Sequence, residues 1–521
     1  MKTAIVTLVS SWIGLCAFVS PAIGEAVAEV AGSRPNILLM LIDDLGWADP
    51  GFHGGNAEVT PRMDRLAGQS AHFRQFYVQS VCAPTRAALL TGRYPFRMWM
   101  DWRSEDLGKP DYLELLGLEL AYNERGEETR MIHGLDPGER TVADALQEAG
   151  YFTALIGKWH LGEWLEEHLP MSRGFQHQYG HYGWGIDYND YAIPHNAPAR
   201  FAVYDWHRNQ QPLNEQGYTT DLLANETVRL LSQHPDDQPF FMFVSFNAIH
   251  GPLEEIPRYT DRYNKRDAAL KCLDDAVGRI VSAVEQHGFA DNTLIILTND
   301  NGGLRPEFNA PYRGTKNTNY EGGVRVPCLM RFDGRLEPGA VIQGMMHVMD
   351  LMPTFITLAG ADPRQERPLD GLDMTATIFD GASSPRREIV FEVSGSVRPP
   401  AIRSGDFKLI GDELYNLAQD ESETTDLADE HPEIVRKLRA RLEEWGNERP
   451  PLSDLIGEEP LLMDPPLPYI YGQAENRAAP EWVKERIRAI RATQPTEWAP
   501  GETPWPQAPK DGKIIYTGDG R

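Results

Sequence analysis

Between residue 35 and about residue 391, short unbroken apolar runs alternate with stretches in which apolar positions return every three or four residues. The runs have the length of buried strands and the stretches have helical spacing. Their alternation predicts a large mixed, mainly parallel sheet flanked by helices, an α/β fold. Four runs carry polar residues at their carboxyl ends. Residues 37–42 (ILLMLI) end in Asp43-Asp44, and residues 152–156 in Gly157-Lys158-Trp159-His160. Residues 240–246 lead to His250, and residues 294–298 end in Asn299-Asp300-Asn301-Gly302. Open α/β sheets hold ligands beyond the carboxyl ends of their strands, so four strand ends point to one site. Residues 141–149 predict a helix with Thr141 as N-cap and Gly150 as the stop, which fixes the register of the strand leading to Lys158.

Residues 99–136 are charged and aromatic without clear periodicity and predict an inserted surface excursion. Beyond residue 392 the pattern changes to short strands at 401–403, 407–410 and 413–416, divided by Ser-Gly-Asp and Gly-Asp turns. This is the pattern of a smaller antiparallel sheet. A helix over 432–445 follows, with Pro432 at its start and Ile434, Leu438, Leu442 and Trp445 on one apolar face to cover the sheet. From residue 449 the chain is rich in Pro and Trp, with one short helix near 481–492, and predicts a tail packed on the body. At the other end, Lys2, an apolar run over 4–19 and small residues at Ala22, Gly24, Ala26 and Ala28 have the form of a secretory signal, too short for a spanning helix. The expected division is a signal peptide over 1–28, a large unit over 34–391, a small one over 392–448 and a tail over 449–521. The signal implies a secreted, periplasmic or lumenal protein with no membrane attachment after cleavage.

A chain of 521 residues exceeds one ordinary core, in keeping with that division. The excess of 76 acidic over 50 basic residues, a formal net charge of −26, argues against nucleic acid or an anionic membrane as partner. An anionic substrate would need a local group of cations to overcome that background. Cys16 falls in the signal, and Cys82, Cys272 and Cys328 make no disulfide framework. Cys272, in a helical pattern, and Cys328, at a strand start, read as buried small hydrophobes.

Asp43, Asp44, Asp300 and Asn301 are hard oxygen donors, a set that suits Ca²⁺ or Mg²⁺ and not Zn²⁺. Arg86, Lys158, His160, His250 and Lys316 supply the cationic side. A helix starting at Pro84 would aim its free N–H groups and its positive dipole end at position 82, a suitable place for an anion.

The stretch Cys82-Ala83-Pro84-Thr85-Arg86, continued by Ala87-Ala88-Leu89-Leu90-Thr91-Gly92-Arg93, resembles the sulfatase signature. Thr85 stands where Ser is commoner, a difference the motif accepts. Gly157-Lys158-Trp159-His160, Ile249-His250-Gly251-Pro252 and Arg313-Gly314-Thr315-Lys316 follow in the order of the arylsulfatase family, closest to the galactosamine-4-sulfatase type. The resemblance covers residues 35–445. It implies an alkaline-phosphatase-like fold and hydrolysis of sulfate esters, with sulfated carbohydrate as the expected substrate. It also implies that a formylglycine-generating maturation enzyme oxidises Cys82 to formylglycine. The metal is then one Ca²⁺ on Asp43, Asp44, Asp300 and Asn301, with residue 82 as a further ligand. His250, assisted by Lys316, protonates the leaving alcohol, and Lys158 and Lys316 hold sulfate oxygens. His160 removes a proton to release sulfate, and Arg86 and Lys158 orient the modified side chain. A phosphodiesterase or phosphonate hydrolase of the wider superfamily would need a second metal held by more His and Asp, which the sequence does not offer. Trp99, Trp102, Trp184 and Trp206 are candidates to line a sugar-binding cleft.

Overall fold

The strand Asn36–Ile42 is buried along its whole length, which is why its sequence is an unbroken apolar run instead of an alternating one. In the computed structural model it pairs in parallel with Thr293–Asn299 on one side and Phe240–Ser245 on the other. Phe240–Ser245 pairs in parallel with Phe152–Gly157, and that strand with His177–Gly180. These five parallel strands are the middle of a ten-stranded sheet. Cys328–Arg331 adds an antiparallel strand beside Thr293–Asn299, and the hairpin His207–Arg208 with Gln211–Pro212 closes the opposite edge, so the sheet is mixed. The structure describes residues 32–98, 100, 118–122, 128–132, 134–163, 166–192, 204–393, 398–450 and 479–493. The expected signal peptide, with most of the 99–136 insertion and of the tail, lies outside the described residues, as do Trp99 and Trp102.

Period-two alternation sorts the central strand between two cores. Ile37, Leu39 and Leu41 pack with the helices Cys82–Thr91, Val142–Glu148 and Leu351–Ala359, while Leu38, Met40 and Ile42 pack with Thr219–Gln233 and Lys265–Gln286. The expected N-cap holds: Asp144 N donates to Thr141 Oγ1 at 3.1 Å and Thr141 N to Asp144 Oδ2 at 2.8 Å, a reciprocal capping box. Gly150, at φ +86°, ends the segment in a conformation that side chains resist.

The small sheet has the three expected strands and a fourth, Glu388–Glu392, which pairs antiparallel with Ala401–Ser404. Val390, Ile402, Leu409 and Leu414 share a core with Val435, Leu438 and Leu442 of the helix Pro432–Asn447, while Ile389, Phe391 and Ile410 meet Tyr77 and Val324 of the larger unit. The helix Glu481–Thr493 buries Val483, Ile487 and Ile490 in the second core and sets Trp482 edge-on to Tyr204. Trp206 is fully buried with its indole N–H on Glu215 Oε1 at 2.6 Å, so it serves the core and lines no cleft. Cys82, Cys272 and Cys328 are all free and buried.

Candidate active site

Strand register brings the site together. Ile42 lies opposite Asn299, Leu41 opposite Ser245, and Ser245 opposite Gly157, so the next residue of each strand leaves the sheet at the same level. The ladder runs on past the strands: Asp300 N donates to Ile42 O (3.0 Å), Asp43 N to Ala248 O (3.0 Å) and Lys158 N to Ser245 O (2.8 Å). Asp44 (φ +64°) and His160 (φ +57°) occupy the left-handed region, a local cost of about 1–3 kcal/mol each that surrounding contacts must hold.

Arg86 has no exposed side-chain surface and ties all four strand ends. Its Nη2 donates to Asp300 Oδ2 (2.8 Å) and Asp43 Oδ2 (3.3 Å), and its Nη1 to Lys158 O (3.2 Å) and to Ser245 Oγ. Lys158 Nζ donates to Asp43 Oδ2 at 2.6 Å, Lys316 Nζ to Asp44 Oδ1 at 2.6 Å, and Asn301 Nδ2 to Asp44 Oδ1 at 2.8 Å. His250 Nδ1 lies 2.7 Å from Gly251 O. A carbonyl only accepts, so Nδ1 carries the proton and Nε2, 3.9 Å from Asp44 Oδ2, is the basic nitrogen of the neutral ring. His160 leaves the same strand as Lys158, and its N–H donates to Tyr182 O at 2.9 Å.

The helix carrying the signature begins at Cys82, with Val81 as N-cap, and not at Pro84. Position 82 is thus the first residue of the helix, and the free N–H groups there belong to Cys82 and Ala83, since Pro84 has none. All ten residues of the helix are buried, which holds its N-terminus fixed at the strand ends.

Burial sets the ionisation states, and charge corrects them. Burial, followed by the Asp43 and Asp300 charges, pushes the Cys82 thiol up against the pull of Lys158 and Lys316, so the unmodified side chain is held as thiol. Burial also raises Asp43, but Lys158, His250, Lys316 and Arg86 outweigh it and keep this carboxyl well below the usual range. Asp300 goes the other way: burial and the adjacent Asp43 charge lift it well above the usual range despite Arg86. Burial and then Lys316 lower His250 to about 4.

Three buried oxygens, Asp43 Oδ1, Asp44 Oδ2 and Asn301 Oδ1, have no hydrogen-bond partner. Asp43, Asp44 and His250 each offer a ligand atom within 4.8 Å of the others. Unsatisfied buried oxygens, with two carboxylates in the set, are what a hard divalent cation satisfies, so the residues fit the metal that the strand ends suggest. His250 Nε2 is a nitrogen donor near that set which sequence spacing could not bring in.

Arg86, Lys158, His250 and Lys316 thus meet Asp43, Asp44, Asp300 and Asn301 at these strand ends, with Cys82 opening the helix beside them and His160 two residues beyond Lys158. Sequence reasoning missed Ser245, whose hydroxyl joins Arg86 to Lys158 O, and Asn299. Asn299 Oδ1 accepts from Leu45 N at 3.2 Å, and its amide bridges Leu45 O to Asn301 O, which binds the two acidic strand ends together. Asn299 was visible next to Asp300, but nothing separated a structural amide from a ligand. Trp184 stands edge-on to His250, with ring centroids 5.8 Å apart, on a turn pinned by Asp205, which accepts from Tyr182 N and Gly183 N.

A model of the family described as Sulfatase matches residues 35–361. The chain is 27% identical to arylsulfatase J of Mus musculus over 489 residues, covering 82% of this chain and 78% of that protein. It is 32% identical to N-acetylgalactosamine-6-sulfatase of Homo sapiens over 376 residues, covering 68% of this chain and 67% of that one. Among solved structures, that of Ps i-CgsB in complex with k-i-k-neocarrahexaose superposes with a TM-score of 0.68 at 28% identity, over 80% of this chain and 94% of that one. The fold is thus the alkaline-phosphatase-like α/β fold with its small C-terminal sheet. With the family model matching more than half of the chain, and over the very segment that builds these strand ends, the protein belongs to the sulfatase family and is a sulfuric ester hydrolase.

Proposed function

We propose that the protein is an exported sulfatase of sulfated carbohydrates that acts through formylglycine at position 82 and one Ca²⁺ held by Asp43, Asp44, Asp300 and Asn301, with residue 82 as a further ligand. The observation that carries this reading is the set of partnerless oxygens on Asp43, Asp44 and Asn301, beside a residue 82 within electrostatic range of Lys158 and Lys316. The raised thiol supports it further, since a cysteine held protonated is a poor nucleophile. A hydrated aldehyde supplies two hydroxyls, one to attack sulfur and one to release sulfate, and a bound dication supplies a Lewis acid for a sulfate oxygen.

The protein's own residues do the rest. Lys158 and Lys316 draw the sulfate oxygens, and the helix N-terminus at Cys82 adds its dipole. Arg86, between Asp43 and Asp300, holds the acidic ligands in place. His250 presents Nε2 to the leaving alcohol. At about 4 its imidazole is neutral in the free site, and the charge of an arriving sulfate raises its affinity for the proton it must donate. His160 takes a proton at residue 82 when sulfate leaves. Carbohydrate as substrate is supported by the relatives, one an N-acetylgalactosamine-6-sulfatase and one bound to neocarrahexaose. Export is supported by the apolar run over 4–19.

Peptide mass spectrometry of the chain produced with a formylglycine-generating enzyme should find the aldehyde at residue 82, and fully active enzyme carrying only thiol would end the mechanism. Chelation should abolish turnover, with Ca²⁺ restoring it better than Zn²⁺. A desulfation screen over defined sulfated mono- and oligosaccharides reads the substrate class and the position of the sulfate.

A further inference from the structure

His250 lies outside every helix and strand, so no regular ladder fixes its backbone. Its loop is held instead from two sides. On one side runs the strand that leads to Asp43: Phe246 N donates to Leu41 O (2.9 Å), Ile249 N to Asp43 O (2.7 Å), and Asp43 N to Ala248 O (3.0 Å). On the other side stands Tyr188, fully buried, whose hydroxyl donates to His250 O at 2.7 Å and lies 3.2 Å from Asn247 O. A phenol has one proton, so the shorter bond takes it. His250 N donates to Asn247 O at 2.9 Å, which closes the turn that Tyr188 grips at its end. Tyr188 is itself braced. Its ring stacks on that of Tyr218, with centroids 4.7 Å apart and planes 14° apart, and its carbonyl accepts from Thr219 N at 2.9 Å. Thr219 Oγ1 donates to Asn247 Oδ1 at 3.2 Å, so the start of the helix Thr219–Gln233 braces Tyr188 and the loop together.

The His250 ring has its own supports, and they come from the segment that carries Tyr188. Trp184 is half-buried and edge-on to it, and a Cβ on Gly185 would stand 3.5 Å from its Nδ1 and Cε1. With Nδ1 bonded to Gly251 O, these contacts leave Nε2 as the nitrogen on the side of Asp44. A buried phenol needs an acceptor, but any carbonyl would serve. Tyr188 takes the carbonyl of the loop residue whose ring reaches the site. A general acid works only within hydrogen-bond reach of the atom it protonates, and a displacement of about 1 Å can cost about a hundredfold in rate. We propose that Tyr188 is a positioning residue that sets where His250 presents Nε2, with Trp184 steadying the ring. This rests on the reading of His250 as the acid that protonates the leaving alcohol.

The test uses matured, metal-loaded enzyme and a series of phenyl sulfates from para-nitrophenyl to para-methoxyphenyl, with kcat/KM reporting the step that releases the phenol. Nitrophenolate departs without a proton and methoxyphenolate needs one, so a misplaced acid slows the second far more than the first. Tyr188→Phe keeps the stacked ring and loses only the hydroxyl. It should lower kcat/KM about tenfold on the methoxyphenyl ester and less than about twofold on the nitrophenyl ester. Trp184→Leu should show the same selectivity at about threefold, and it carries the test if Tyr188→Phe does not fold. In His250→Ala the acid is gone, so adding Tyr188→Phe should change neither rate further. A fall of equal size across the series in both variants, which a general loosening of the fold would give, overturns the positioning role, and so does no fall in either. If His250→Ala selectively slows the methoxyphenyl ester and neither variant does, the acid stands and the positioning role fails. If His250→Ala slows every ester alike, the reading of His250 as the acid fails and the role of Tyr188 falls with it.

Discussion

Arg86 is a guanidinium with no exposed side-chain surface, and it stays because two carboxylates, a hydroxyl and a carbonyl take its protons. Besides bonding the acidic ligands, it lies within electrostatic range of position 82. At position 82 the number of hydroxyls decides the outcome. In Cys82→Ser a single hydroxyl remains to attack sulfur, and His250 can still protonate the leaving alcohol. No second hydroxyl is left to expel sulfate, so the variant should release about one equivalent of phenol from an aryl sulfate and then stop. Rapid-mix kinetics, with the mass of the peptide containing residue 82, measures this. Sustained turnover by the serine variant would exclude the two-hydroxyl mechanism.

At the scale of elements, the small C-terminal sheet is tied to the site through a buried charge network. Lys408 Nζ lies 2.8 Å from Glu321 Oε1 and 2.9 Å from Glu423 Oε1, with all three side chains fully buried. Tyr77 donates to Glu321 Oε2 at 2.7 Å, and Glu423 Oε2 accepts from Glu321 N at 2.6 Å. Glu321 opens the short helix Glu321–Val324, whose Gly322 N donates to Arg313 O (2.7 Å) and whose Gly323 O accepts from Gly302 N (2.9 Å). The network therefore supports the turn that carries Lys316. Lys408→Met takes the shared cation from Glu423 and from Glu321, which keeps Arg325 at 3.3 Å, and should lower the unfolding free energy by about 3 kcal/mol in urea titration. It should also lower kcat by loosening Lys316, and a loss below about 1 kcal/mol would show that the carboxylates neutralise without strain. None of this was legible beforehand. The hairpin pattern announced the strands, but Lys408 in a strand and Glu423 in a loop look like surface charges until the packing buries them.

Across the whole molecule, buried imidazoles set the response to acid. Burial lowers His53 and His250 to about 4 and His181 to about 3, and neither ring nitrogen of His181 has a hydrogen-bond partner. Between about pH 6.5, the ordinary value, and pH 4, the unfolded chain binds protons that these folded imidazoles refuse. These imidazoles should therefore contribute stability that rises with pH across that window and is lost as pH falls through it, against the opposite contribution of Asp300 and Glu423, whose carboxyls burial lifts to about 7. Carboxylates held low by cations, Asp43 and Glu226, add losses in the same direction at lower pH. Melting temperatures of the metal-free protein at pH 7, 5.5 and 4 measure the slope, and His181→Phe should make it shallower. An unchanged slope in His181→Phe would contradict the assignment of a neutral buried imidazole.

The sequence by itself determined which segments become strands, because a strand covered on both faces must be apolar throughout, and residues 37–42 and 294–298 are. It also placed the polar residues directly after those strands, the N-cap at Thr141 and helices over 432–445 and near 481–492, since helical period and caps are local properties. Tertiary structure alone decided what depends on register and burial. It set Ile42 against Asn299 and Ser245 against Gly157, and so brought Asp43, Asp300 and Lys158 to one level. It turned Arg86 inward, made Trp206 a core residue, and brought His250 Nε2 near the oxygen donors. Contacts between residues more than a hundred positions apart leave no periodicity in a single chain, so they appear only when the sheet is assembled.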